Sequence, residues 1–188
     1  MNNDSNQQMS DMARMMNYRM HADSLFIPIV EGFQVQNDNN PQSILVATGH
    51  GFTEQLTSDG FIADGQFEQR IDLVISNTKQ FMMNNGFEDV DKSFFYYKDY
   101  SNGVFNFKLY VCDMIIPLGN TKKIIRQFNA YFVEPKMHDF YQLSLSAGPL
   151  PMPTAYLKPG ILDLQNDQVS MALDNLMKLL MDNLKYKE

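Results

Sequence analysis

Three histidines, His21, His50 and His138, and one cysteine, Cys112, are the side chains best suited to proton or thiol chemistry near neutral pH. His138 precedes Asp139, and a carboxylate beside an imidazole can orient it as a general base. Adjacent residues in a tight turn seldom point together, however, so the pair reads as a surface turn. His50 stands between Gly49 and Gly51 at the end of an apolar run, where glycines let a ligand approach the backbone. That makes His50 the candidate for the rim of a pocket, but Gly-His-Gly lacks the lysine and the length of a phosphate loop, so a plain turn is the preferred reading. The histidines lack metal-ligand spacing and one cysteine cannot build a zinc site, so neither metal nor cofactor is expected. Cys112 falls on the more polar side of an alternating stretch, with Lys108 too far along the strand to lower its pKa, and reads as a passive thiol. Ser144 and Ser146 lie outside any Gly-x-Ser-x-Gly elbow. Glu88, Asp89 and Asp91 lack the glycine and length of a calcium loop. With no coherent catalytic set, the sequence predicts a protein that is not an enzyme.

Aromatic residues carry the stronger signal. Phe94, Phe95, Tyr96 and Tyr97 place rings on both faces of one strand, and Tyr110 and Tyr131 fall on the more polar faces of theirs. Such a sheet is either covered on both sides by helices or exposes an aromatic patch that binds something. On the second alternative Tyr97, Tyr110 and Tyr131 are the partner-binding residues. Residues 1–24 form a tail rich in Asn, Gln and Met, either loose or helical. There Met9, Met12, Met16 and Met20 recur at helical spacing, and Met12 and Met16 would lie on an adaptable docking face.

The elements that must position these groups can be traced along the chain. Residues 25–188 read as a single domain with no internal repeat. Phe26–Val30 and Phe33–Val35 read as extended, a turn follows at Asn37–Pro41, and Ser43–Ala47 is a buried strand. A helix is predicted from Gln66 to Asn85, capped by Asp64 and stopped by Gly86, with Phe67, Ile71, Val74 and Met82 on its inner stripe. Strands are expected from Ser93 to Tyr100, Phe105 to Cys112, Ile124 to Val133 and Phe140 to Ala147, joined by short turns into an antiparallel meander. Gly148 to Pro153 carries three prolines at alternate positions and reads as an irregular, polyproline-like crossing. A last helix from Gln168 to Lys185 is capped by Asn166 or Asp167. The fold class is α+β: an antiparallel meander with two main helices packed on it, or an α/β/α sandwich.

The totals limit the partners. The chain has 188 residues and a net charge of −7, which repels phosphate backbones, so nucleic acid is not expected. No segment reaches the ~18 consecutive apolar residues of a membrane span, and none at the start has the apolar run of a secretory signal. With one cysteine, these features favour a soluble protein of the cytoplasm.

The order of strand pair, long helix, meander and final helix resembles the PsbP-like superfamily. That superfamily joins photosystem II extrinsic subunits, a Ran-binding nuclear import factor and many uncharacterised bacterial proteins. The stretches Ser43–Val46, Phe67–Met82 with Asn84–Gly86, and Asp139–Ser146 carry the resemblance, which spans roughly residues 25–185. It implies an α/β/α sandwich and a non-catalytic role in binding or assembling other proteins. The expectation is therefore a non-enzymatic cytosolic module with a protein partner, able to self-associate. The alternative is a small-molecule-binding protein or minor hydrolase with a pocket near His50.

Overall fold

The computed structural model describes residues 16–20, 24–40 and 42–188, with side chains from residue 24 onward. In chain order the elements are β1 (Met16–Met20), β2 (Leu25–Val30), β3 (Gln34–Val35), β4 (Ser43–Gly49), β5 (Phe52–Phe61) and α1 (Phe67–Asn84). There follow β6 (Phe94–Ser101), β7 (Asn106–Leu118), β8 (Thr121–Glu134), β9 (Asp139–Met152), α2 (Gln168–Asn183) and β10 (Lys185–Tyr186). Seven strands form one antiparallel sheet in the order β3-β4-β5-β9-β8-β7-β6, and a smaller sheet has the order β1-β2-β10. The meander therefore runs through four consecutive strands, and β5 joins it by pairing with β9 after the chain has crossed through α1.

Alternation along β7 shows why the sheet carries a helix on each face. Phe107, Leu109 and Val111 point into the main core with Phe128, Phe132 and Leu145, closed by Leu173, Met177 and Leu180 of α2. On the other face Tyr131 and Phe140 pack with Ile71 of α1, and Tyr110 leans on the same cluster. Both faces are apolar enough to bury, so the class is α+β and the layering is helix, sheet, helix.

Several local expectations change in the structure. Cys112, expected on a polar face, is buried against Met82 and Val90 under the end of α1, and that burial raises its thiol pKa. Gly148 to Met152, expected to be irregular, continues β9. Lys122, Lys123 and Ile124 pair with Met152, Pro151 and Leu150, whereas β5 ends opposite Ala147. With a strand on one side only, the prolines are tolerated as they are at sheet edges. The helical stripe expected through Met16 and Met20 is not helical there. Met16–Met20 is a strand whose residues pair from Val30 to Phe26, and Met12 lies outside the described residues. Asp64 does not cap α1, whose N-cap is Gln66 without a side-chain bond. Asp167 does cap α2, accepting the Ser170 N–H at 3.0 Å.

Candidate protein interface

The three tyrosines expected to form one patch do not do so. Tyr131 is 1% exposed beneath α1. Tyr110 is half-buried on the same face, edge-on to Tyr131 at 6.0 Å between ring centroids. Tyr97 lies on the opposite face against Phe128, and its hydroxyl donates to Asp174 of α2. Burial raises the pKa of both Tyr131 and Tyr97, and the Asp174 carboxylate adds to the second. Both sheet faces are covered, so these rings are core and clasp rather than open surface.

His50 corrects the pocket reading. Gly49 and Phe52 close a two-residue turn in which His50 and Gly51 both have positive φ, 54° and 81°. That is the backbone of a type I′ hairpin, which needs φ > 0 at both central residues. His50 is exposed and does not line the groove described below. His138 also has positive φ, and its Nδ1 faces Asp64 Oδ1 at 3.3 Å rather than the neighbouring Asp139. His21 lies outside the described residues.

The most elaborate polar cluster centres on Arg126, whose side chain is fully buried. Its Nε and Nη2 donate to the two oxygens of Asp113 at 2.8 and 2.7 Å. Nη2 also reaches the Lys158 carbonyl at 2.9 Å. Nη1 donates to Ser170 Oγ at 2.7 Å, to the Ile161 carbonyl at 2.9 Å and to Asp167 Oδ2 at 3.3 Å. A guanidinium with every edge engaged has no capacity left for substrate. The cluster fastens the loop before α2, and the helix's capping residue, to β7 and β8.

Glu54 on β5 is a second buried charge-bearing group. The Val30 N–H donates to its Oε2 at 3.2 Å, while Oε1 meets no partner among the described residues. Burial disfavours the carboxylate and pushes its pKa up to about 8, against the Val30 hydrogen bond.

Open chemistry lies instead beside the first turn of α1. There the ends of β6 and β7 project past the helix and leave a groove of about 470 Å³ lined by Phe67, Glu68, Asp99, Asn106 and Lys108 among others. Phe67 is held by Phe140 at 5.9 Å. The Lys108 ammonium pairs with Glu68 and lies 5.9 Å from the centroid of the Tyr96 ring. The bond to Glu68 raises the Lys108 pKa, with Asp99 adding to it. Tyr96 is 51% exposed and packs edge-on against Tyr110 at 5.7 Å. At the same end of α1, Phe61 and Met137 are 66% and 60% exposed, with the His138 ring 6.3 Å from that of Phe61. Sequence reasoning singled out Tyr97, the half-buried Tyr110 and the buried Tyr131, and passed over Tyr96, the exposed neighbour of Tyr110. The bulge at Tyr97, which shifts the register between Tyr96 and Lys98, removes the simple alternation that would have separated them.

No family model matches the chain, and no curated protein matches it. Among solved structures, it is similar to the Ran-binding protein Mog1p of Saccharomyces cerevisiae at 8% identity and a TM-score of 0.55, covering 90% of this chain and 95% of that one. A Pseudomonas aeruginosa protein of unknown function, PA94, matches at 13% identity with a TM-score of 0.38 over 93% and 99% of the two chains. LpqN of Mycobacterium tuberculosis, involved in cell envelope biogenesis, matches at 10% identity with a TM-score of 0.40 over 93% and 91%. At 8% identity the likeness to Mog1p is one of fold alone.

Proposed function

We propose that this protein is a non-enzymatic module that binds a protein partner. The observation that carries this reading is the groove at the start of α1, lined by Phe67 and Lys108, with the exposed Tyr96 ring beside Lys108. Phe61 and Met137 are exposed as well, and exposed aromatic and apolar side chains are the usual composition of an interface core. The Mog1p fold supports the reading as an analogy, since that protein binds another protein. The polar clusters support it differently. The Arg126 network is saturated with internal bonds, and the His138 imidazole meets Asp64 in an exposed setting.

Affinity capture tests the reading. Wild-type protein and a Tyr96→Ala, Phe61→Ala double variant are used as baits in lysate of the source cells. A stoichiometric partner held by the wild type and lost with the variant is expected. Failure of the wild type to hold any partner overturns the proposal.

A further inference from the structure

The groove has a charge pattern as well as a shape, and the pattern specifies the partner. Among the described residues Lys108 is the one cation on its lining and is already engaged by Glu68. Asp99 shares the lining, so two carboxylates stand against one ammonium, an excess of one negative charge. Asp99 is exposed and makes no ion pair among the described residues, with the Tyr96 hydroxyl facing its carboxylate. The floor is aromatic: Phe67 lines the cavity, and the open face of Tyr96 flanks it. Rings beside an exposed carboxylate that makes no ion pair suit a long side chain with an aliphatic stem and a cationic head, because the stem covers the ring while the head pairs with the acid.

Resting on the partner-binding reading, we infer that this groove receives a lysine- or arginine-bearing segment of a partner protein, its cation paired with Asp99 and its stem laid against Phe67. The acids do more here than stabilise the helix start. Asp99 belongs to β6 and has no part in the helix dipole. An anionic ligand such as nucleic acid is disfavoured by the same excess of charge.

The test uses a fluorescein-labelled peptide of alternating lysine and leucine, and its counterpart with glutamate for lysine, followed by fluorescence anisotropy with the full-length protein. The lysine peptide is expected to bind, to weaken as salt is raised, and to bind about tenfold more weakly to Asp99→Asn. Asp38→Asn, in the turn next to β3 at the opposite edge of the sheet, removes the same charge and is expected to leave binding unchanged. Asp99→Lys is expected to shift preference toward the glutamate peptide. Because Asp99 is exposed, these changes leave the core untouched. Equal binding of the two peptides, or equal losses from Asp99→Asn and Asp38→Asn, overturns the inference. So does a captured natural partner whose retention is indifferent to Asp99→Lys, and that last result leaves the partner-binding reading standing.

Discussion

Glu54 sits where an apolar residue would be expected, on the inward face of β5 two positions from Leu56. Its folded pKa of about 8 lies above the ordinary carboxyl value of 4.5, so between those values the folded protein holds a proton that the unfolded chain has released. The sign follows: the stability contributed by this group is fully present below the unfolded pKa and is lost as pH rises through the folded one. Glu54→Gln keeps an oxygen for the Val30 N–H and carries no charge at any pH. Thermal melts from pH 5 to pH 9 are therefore expected to show wild-type stability falling relative to the variant, and parallel curves would refute the assignment. Arg126 obeys the opposite logic, because its charge is needed. Arg126→Met strands Asp113 and Asp167 in the interior without their counter-ion. A loss of about 3–5 kcal/mol is expected in urea denaturation, and a loss below 1 kcal/mol, on the order of a surface ion pair, would show the cluster to be dispensable.

At the scale of elements, periodicity revealed what depends on one chain segment and missed what depends on two. The alternation of Phe107, Leu109 and Val111 marked β7, the apolar stripe marked α2, and Gly86 marked the end of α1 in its left-handed conformation. Rings on both faces of the strands left two alternatives, helices on both sides or an exposed aromatic patch, and the structure has the first. Three features were illegible because a distant partner decides them. Gly148 to Met152 is a strand because Lys122 to Ile124 offers a ladder. Cys112 is apolar in its setting because the end of α1 covers it. Met16 to Met20 is extended because β2 accepts a neighbour. Of the candidate site, Tyr110 led to the right face of the sheet but not to its surface. Tyr96 and Asp99 are recognisable only once the bulge at Tyr97 and the projecting end of β6 are known. At His50 the turn was the reading preferred over a pocket, and positive φ at His50 and Gly51 is what a hairpin turn requires.

Across the whole molecule, no helix among the described residues is long and apolar enough to cross a membrane. The two helices are tied to the sheet very differently. Asp167 and Ser170 at the start of α2 meet Arg126, and Asp174 and Asp182 meet Tyr97 and Tyr100. At its end Asn102 Nδ2 donates to the Met181 and Leu184 carbonyls at 2.7 and 3.0 Å. Only Ile71 and Met82 of α1 are buried, and its side-chain ties are those of Glu68, Arg70 and Lys79 near the ends. Deuterium uptake should therefore divide the protein into two foldons. Amides of α2 are expected to exchange only through global unfolding, while those of α1 open in smaller excursions and exchange sooner. Equal protection of the two helices would contradict this. A segment docked beside the first turn of α1 would tax those excursions, so the slow clock of α2 gives an internal reference against which occupancy of the groove can be timed.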